Sequence, residues 1–423
     1  MDPMIATLLI LTGIIGLMIW DKLPLSLVAL LAPVLLTLTG VLTPSESFAG
    51  FVNSNVIRMM GMMVIGGAFF QTGMAHAVSH RLIKYAKTDR LVLAVVMMVA
   101  GLLSSVLSNT GVTTTMIPIV AGICMSTGMR RSKLMMPITI AVGCGGTISL
   151  VGAVPNTTAN TILEGYGRAG FGFFEMGLVG LPLLILTTVF LCTIGYRLLP
   201  DRPDEDGGTY QDAAFDTIPK WKKVTSVTVM VFSFLTMAFE KQVGIPMHIT
   251  AVLGAMALVV LRVLNEKEAI SAIDLRTPFI LGGMLPIATA LDKSGAGDMI
   301  AHFVVNTFGA LASPFVVMLV LYAVAMVATQ FMSNTTCAAI LCPVGVAIAS
   351  GVGADPKAVM AAIVFGVSFA YATPLGMPPN AMVMAPGGYR FGDYVKVGVP
   401  LVLMSFVFCM ITLPLFWPMT IGD

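Results

Sequence analysis

Two short stretches decide the fold of this chain: residues 108–119 read SNTGVTTTMIPI, and residues 333–344 read SNTTCAAILCPV. The second begins 225 positions after the first, and its proline keeps the same place in the stretch. A single Ser-Asn-Thr string is an ordinary turn or helix N-cap sequence. Two copies in register, each followed by a further shared motif, instead predict an internal repeat.

Working outward from these stretches, the same order of motifs recurs in both halves of the chain. The matching segments are GGTISLVGAVPN (145–156) with AYATPLGMPPN (370–380), GLP (180–182) with GVP (398–400), and GGAFFQTG (66–73) with GGMLPIATALDKSG (282–295), the last with a six-residue insertion. The Pro-Asn turns are 224 positions apart, close to the spacing of the Ser-Asn-Thr strings. The chain is therefore predicted to consist of two halves built to one plan.

The composition excludes a water-soluble protein. Hydrophobic residues make up 57% of the 423 residues and charged residues only 10%, and the mean hydropathy is +0.94. Soluble globular proteins carry about 25% charged residues, so this chain cannot cover a water-facing surface. A soluble enzyme and a disordered chain are both excluded, and a net charge of +2 does not suggest a nucleic-acid partner. The composition predicts a polytopic membrane protein.

Ten apolar stretches are long enough to span a bilayer. They lie near 5–20, 24–42, 56–75, 134–163, 173–197, 224–239, 246–264, 277–291, 356–386 and 395–417. Two further apolar regions, 91–127 and 313–352, are interrupted by the Ser-Asn-Thr strings and return without a charged loop. Such regions predict re-entrant hairpins, because irregular backbone at membrane depth must be shielded by protein or line a cavity.

The basic residues test this layout. With the N-terminus outside, the inside segments hold 18 of the 23 Lys and Arg residues and the outside segments hold 5. This bias agrees with the positive-inside rule and places both termini outside a plasma membrane, the inner membrane in a bacterium. Segment 76–90 is predicted to be an interfacial arm, with a counterpart at 292–306, and segment 200–223 is predicted to be an inside linker.

Five crossings per half is an odd number, so equivalent elements enter the membrane from opposite sides. The predicted fold is an all-α polytopic membrane protein with an inverted five-plus-five helix repeat and two re-entrant hairpins. Inverted repeats are typical of secondary transporters, whose sites lie near the midplane where the repeats meet.

The site is predicted to be built from neutral groups, since none of the 21 acidic residues lies in the middle of a span or hairpin. The Gly- and Pro-rich breaks at 143–156 and 372–380 expose carbonyl oxygens that suit Na⁺, and helix N-termini that suit an anion. Ser104 and Thr329 each lie four residues before a Ser-Asn-Thr string and could add a hydroxyl to a cation site. Hard oxygen donors favour Na⁺ over soft metals.

On these residues the chain resembles the divalent anion:sodium symporter family, which carries dicarboxylates, citrate and sulfate. The resemblance covers both halves and implies a homodimer in membrane lipid that moves a small anion with Na⁺ by an elevator motion. The implied domains are a scaffold (1–90 and 224–312) and a transport domain (91–199 and 313–423), joined by the linker 200–223.

The resemblance also implies site residues. The first sodium site would comprise Ser104, Ser108, Asn109 and Gly152, and the second Thr329, Ser333, Asn334 and Gly376. The anion would meet Asn109, Thr110, Asn334 and Thr335, together with positions 153 and 377. Family members usually carry Ser or Thr at those last two positions, where this chain has Ala153 and Met377, so a smaller, less charged or partly apolar anion is an alternative cargo.

Other functions compete with sodium-coupled anion transport. An oxyanion efflux permease of the arsenite type, or another anion exchanger, is the alternative on a related fold. A cation/proton antiporter normally needs a carboxylate within the membrane, and an intramembrane enzyme needs a catalytic dyad or metal cluster there; the sequence shows neither. A channel is a further alternative. The chain is therefore predicted to be a carrier without catalytic activity.

Overall fold

The structure is a computed structural model that describes residues 2–20, 22–74, 88–203, 218–297, 299 and 313–420. Within these ranges the chain is helical, apart from turns and one isolated antiparallel bridge between Ala354 and Thr420. The helices are α1 (Pro3–Trp20), α2 (Leu25–Leu38), α3 (Pro44–Phe48), α4 (Ser54–Gln71), α5 (Asp89–Ser104), α6 (Asn109–Thr127), α7 (Met135–Gly146), α8 (Val154–Gly165), α9 (Gly177–Cys192), α10 (Lys220–Ala238), α11 (Glu240–Val243), α12 (Met247–Val260), α13 (Glu266–Ser271), α14 (Arg276–Lys293), α15 (Pro314–Ala328), α16 (Asn334–Gly351), α17 (Pro356–Ser368), α18 (Pro378–Met384) and α19 (Phe391–Phe416).

Several helices have the length and composition of membrane spans. Among the described residues, three helical segments are long and apolar enough to cross a bilayer: Pro44–Gln71, Asn334–Gly351 and Phe391–Phe416. Seven further apolar helices are 10–17 residues long. The apolar stretches 134–163 and 356–386 are not continuous helices. Each is divided in two, as α7 with α8 and as α17 with α18, at the Gly- and Pro-rich breaks that the sequence predicts.

Helices α5 and α6 form a hairpin whose two ends lie at one end of the molecule. Arg90, at the start of α5, lies 5.7 Å from the ring centroid of Tyr196, and Lys133, shortly after α6, lies 5.1 Å from the same ring. The Ser-Asn-Thr tip at residue 108 is at the opposite end of both helices. The chain thus enters and leaves this hairpin on one side.

The first and second halves pack their helices in matching pairs. Helix α5 packs on α7 and α15 on α17, while α2 packs on α14 and α4 on α12. At the α4–α12 crossing, a Cβ on Gly61 would lie 2.8 Å from the Ala251 carbonyl oxygen, and at the α2–α14 crossing one on Gly283 would lie 2.4 Å from that of Ala29. Positions 61 and 283, like 29 and 251, differ by 222. The two crossings are therefore reciprocal copies of one contact, and glycine is required in each.

The offset of 222 positions corrects one detail of the comparison between the two halves of the sequence. Helices α4 and α14 each have 18 residues, and the hydroxyls of Thr72 and Ser294 bond the carbonyls four residues earlier at both C-termini. Left-handed glycines follow at Gly73 and Gly295. The expected six-residue insertion is therefore wrong. The Gly-Gly pairs at 66–67 and 282–283 look alike but are not equivalent.

Ion pairs between described residues join positions that the predicted layout places on the same side. The inside pairs are Arg130–Asp201, Lys133–Asp201 and Arg202–Asp393, and the outside pairs are Lys293–Glu46 and Lys357–Glu175. These contacts are consistent with the predicted grouping of the loops. Three predicted segments lie wholly or partly outside the described residues: residues 76–87 of the arm at 76–90, most of its counterpart at 292–306, and residues 204–217 of the linker at 200–223.

Candidate functional site

Both Ser-Asn-Thr strings cap the helices that follow them. Ser108 Oγ accepts a hydrogen bond from the Gly111 N–H at 3.2 Å, and Ser333 Oγ accepts one from the Thr336 N–H at the same distance. The serines are therefore N-caps of α6 and α16, which is the ordinary structural role of such a string. The asparagines in the two strings, Asn109 and Asn334, each make a further side-chain hydrogen bond that N-capping does not require.

Each asparagine oxygen is held by a buried hydroxyl from the preceding helix. Ser104 Oγ donates to Asn109 Oδ1 at 2.6 Å, and Thr329 Oγ1 lies 2.8 Å from Asn334 Oδ1. Ser104 and Thr329 are fully buried, whereas both asparagines are partly exposed. The structure thus brings together the hydroxyl and the carboxamide that the sequence assigns to each sodium site.

The glycine assigned to each site packs on the carbonyl of that same hydroxyl residue. A Cβ on Gly152 would lie 3.0 Å from the Ser104 oxygen and 2.6 Å from the Gly146 oxygen. A Cβ on Gly376 would lie 2.2 Å from the Thr329 oxygen. Hydroxyl, carboxamide and carbonyl oxygens therefore converge in each half. This neutral set of hard donors fits Na⁺, and no cluster of His, Cys, Asp or Glu for another metal occurs in the part of the chain described.

The asparagines that end the Pro-Asn turns stabilise each break by hydrogen bonds within the unwound segment. Asn156 Nδ2 donates to the carbonyls of Gly146 (2.8 Å) and Ser149 (2.7 Å). Asn380 Nδ2 donates to the carbonyls of Ala370 (2.6 Å) and Thr373 (3.0 Å). The sequence spacing of donor and acceptors is the same in both halves. These two residues fix the shape of the turns, a role that the sequence motif did not reveal.

A second fastening joins each break to its hairpin. The Ser149 hydroxyl donates to the Ser105 carbonyl, and the Thr373 hydroxyl donates to the Gln330 carbonyl. Ser105 and Gln330 directly follow Ser104 and Thr329 in the sequence. The hairpin and the break of each half consequently form one bonded unit around the oxygens of the candidate cation site.

The predicted anion contacts differ between the halves. Thr110 is exposed and Thr335 half-buried, so both are accessible. Ala153 and Met377 occupy the N-cap positions of α8 and α18 and make no side-chain capping bond, and Met377 is 2% exposed. Helix α18 then begins with two prolines, which have no N–H. The expectation that helix N-termini offer donors in both halves is therefore wrong for the first two positions of α18.

The two halves interlock, although the sites remain separate units. Helix α6 packs on α18, and α16 packs on α8. No hydrogen bond between described residues joins one predicted sodium site to the other. Two cavities lie among the described residues. One, of about 10 Å³, lies between α8, α14 and α16, and the other, of about 300 Å³, lies along α4, α12 and α13. Neither cavity is lined by Asn109 or Asn334.

A polar network that the sequence did not predict connects α4 with α8. Asn55 Nδ2 donates to Glu164 Oε2 at 2.6 Å, and Asn160 Nδ2 lies 2.8 Å from Glu164 Oε1 and 3.1 Å from Asn55 Oδ1. One turn along α4, Arg58 is 4% exposed, and its Nη1 lies 3.5 Å from Met247 Sδ. Its Nε and Nη2 have no hydrogen-bond partner among the described residues. The sequence feature that could have indicated this network is the spacing of its polar residues, which lie three or four apart in otherwise apolar helices.

The overall fold is that of a membrane transporter. The structure superposes on the antimetabolite efflux pump MtrF of Neisseria gonorrhoeae with a TM-score of 0.66 and 14% identity, over 92% of this chain and 86% of MtrF. It matches the YdaH transporter of Alcanivorax borkumensis with a TM-score of 0.63 and 17% identity, over 92% of this chain and 89% of YdaH. At these identities the likeness concerns the fold alone.

Sequence relationships define the family more narrowly. The citrate transporter family model matches residues 15–335 and 234–421, and the chain belongs to this family. It is 24% identical to the sodium-dependent dicarboxylate transporter SdcS of Staphylococcus saprophyticus, over 96% of this chain and 84% of SdcS. It is 21% identical to the uncharacterized transporter YfbS of Escherichia coli, over 92% of this chain and 95% of YfbS. The family predicted from the paired motifs is confirmed.

Proposed function

We propose that this protein is a sodium-coupled symporter of a small divalent anion, a dicarboxylate or a sulfate-like ion. The observation that carries the proposal is the pair of equivalent oxygen pockets, in which a buried hydroxyl holds the asparagine and a glycine turn packs on the same residue. The residues that would hold Na⁺ are Ser104, Ser108, Asn109 and Gly152 in one pocket and Thr329, Ser333, Asn334 and Gly376 in the other.

Bound Na⁺ would supply the positive charge that the anion needs. The accessible polar groups beside the pockets, on Asn109, Thr110, Asn334 and Thr335, are neutral. Neither Ala153 nor Met377 offers a hydroxyl, and α18 begins with two prolines whereas α8 has one proline in its first two positions. The second half would therefore offer the anion one N–H fewer than the first. The similarity to SdcS, a sodium-dependent dicarboxylate transporter, supports this class of substrate.

The architecture would serve an elevator mechanism. The reciprocal crossings at Gly61 and Gly283 support an inverted five-plus-five repeat. The scaffold would comprise 1–90 and 224–312, and the transport domain 91–199 and 313–423, with the breaks and hairpins travelling together because hydrogen bonds join them. The protein would function as a homodimer in a plasma membrane, with both termini outside and segment 200–223 inside.

Uptake by purified protein in proteoliposomes tests this function. Radiolabelled succinate, citrate and sulfate are offered with an inward Na⁺ gradient, or with K⁺ in its place. The expected result is accumulation of at least one anion that requires Na⁺ and is lost in Asn109→Ala and in Asn334→Ala. Equal uptake in K⁺ contradicts the proposal, and exchange against internal anion without Na⁺ would establish the exchanger alternative.

A further inference from the structure

The break in the second half of the chain is longer than the break in the first. Helix α7 ends at Gly146, whereas α17 ends at Ser368. The matching Asn156 and Asn380 bonds pair Gly146 with Ala370, so α17 stops two residues before its counterpart. The extra unwound backbone lies in the interior, where residues 369–372 are at most 8% exposed. Buried N–H and carbonyl groups released from a helix need other partners.

The side chain of Gln330 provides those partners. Its Nε2 donates to the Phe369 carbonyl at 3.1 Å and to the Met326 carbonyl at 2.8 Å. Its Oε1 accepts from the Ala372 N–H at 3.0 Å. Its own backbone carbonyl accepts from the Thr373 hydroxyl. Gln330 is 8% exposed, so both ends of its carboxamide are engaged inside the protein.

The equivalent residue of the first half, Ser105, shares only the backbone contact, since its carbonyl accepts a hydrogen bond from the Ser149 hydroxyl. Ser105 uses its hydroxyl on the Leu102 carbonyl of its own helix, at 2.7 Å. There the hairpin and the broken helix meet backbone to backbone, since a Cβ on Gly145 would lie 2.0 Å from the Gly101 oxygen. The first break is thus held by close glycine packing and the second by one amide side chain.

The residues that Gln330 bridges surround the second cation site. Thr329, its neighbour in sequence, lies 2.8 Å from Asn334 Oδ1 and 2.7 Å from the Val367 carbonyl, and Gly376 packs on the Thr329 carbonyl. We infer that Gln330 is a positioning residue of the second sodium site, whose carboxamide fixes the long break so that the Thr329, Asn334 and Gly376 oxygens stay together. The inference rests on the proposed function and adds that the two sodium sites are supported in different ways.

The chemistry of the carboxamide makes this role testable. A methionine side chain of similar length could neither accept the Ala372 N–H nor donate to the Met326 and Phe369 carbonyls. Gln330→Met should therefore loosen the long break without adding a charge beside the second sodium site. Na⁺ binding at that site should weaken.

The experiment measures the half-saturating Na⁺ concentration and the maximal rate of anion uptake, together with the Na⁺-induced rise in melting temperature. The proteins are wild type, Gln330→Met and the matched control Ser105→Ala. In Gln330→Met the half-saturating concentration should rise about tenfold, as expected for one lost buried hydrogen bond, while the maximal rate at saturating Na⁺ stays near that of wild type. Ser105→Ala should match wild type in both.

A maximal rate near that of wild type at saturating Na⁺ would show that Gln330→Met is folded, which a merely structural defect would not give. If wild type responds to Na⁺ and Gln330→Met has the same half-saturating concentration, the inference is overturned while the proposed function stands. If Ser105→Ala is impaired as strongly as Gln330→Met, the asymmetry between the sites is overturned. A wild type without any response to Na⁺ overturns the proposed function and the inference together.

Discussion

At the scale of single residues, the two site glycines have the most sharply defined requirement. Gly376 and Gly152 are needed because backbone carbonyls occupy the space that a Cβ would take, not because their backbone is left-handed. A carbonyl fixed in a buried turn cannot move aside as a flexible side chain can. The clash would fall on the carbonyls of Thr329 and Gly146, which border the candidate cation sites. A substitution of either glycine should therefore lower both the stability of the fold and the affinity for Na⁺.

Gly376→Ala should lower the free energy of unfolding by about 1–3 kcal/mol, the usual cost of overpacking, and should reduce the Na⁺-induced rise in melting temperature. The control is Gly13→Ala in α1, where no atom lies within 4 Å of the added Cβ. That variant should be neutral or gain up to about 1 kcal/mol from helix propensity. Thermal unfolding with and without Na⁺ measures both. An unchanged response to Na⁺ in Gly376→Ala would contradict the assignment.

At the scale of elements, the sequence predicts those structural features that depend on neighbouring residues in the chain. Hairpin tips and helix breaks were predictable because N-caps, glycines and prolines act on neighbouring residues. The partners of Gln330 and Asn55 were not, because they lie 39 and 109 positions away. The register of α4 against α14 was misjudged because Gly-Gly pairs are common in membrane helices, so a chance match displaced the pairing that the Gly61 and Gly283 crossings define.

Asn380→Asp tests the fastening of a break. An ionised carboxylate cannot donate, so the carbonyls of Ala370 and Thr373 would lose their partner at a cost of about 1–3 kcal/mol each. We expect a lower melting temperature and loss of anion uptake. Asn265→Asp is the control, because Asn265 caps α13 as an acceptor for the Glu268 N–H, and Asp retains that function. Equal behaviour of the two variants would show that the amide donor is unimportant.

At the scale of the whole molecule, Glu175 connects the two halves of the chain. This carboxylate precedes α9, and it accepts hydrogen bonds from Lys357 at 3.0 Å and from Trp417 Nε1 at 2.8 Å, both in the second half. Burial alone would raise the pKa of Glu175, but hydrogen bonds from the Gly172 N–H, Lys357 and Trp417 and the charge of Lys357 together lower the pKa below its usual value of 4.5. The ionised form therefore stabilises the folded protein.

The sign of the pH effect follows from that lowered pKa. The contribution of Glu175 is fully present above the pKa of the unfolded chain and is lost as the pH falls through the lower pKa of the folded state. The melting temperature of wild type should fall on acidification below about pH 5 more steeply than that of Glu175→Gln, which should already be lower at neutral pH. Parallel curves would show that the carboxylate contributes nothing to the connection between the halves.

The central claim is that the paired pockets around Asn109 and Asn334 bind Na⁺. Its most direct test is the rise in melting temperature when Na⁺ replaces K⁺ at constant ionic strength, because a cation that binds only the folded state stabilises it by mass action. Wild type should show a Na⁺-specific rise, Asn109→Ala and Asn334→Ala each a smaller one, and the double variant none. A rise in the double variant equal to that of wild type would contradict the account.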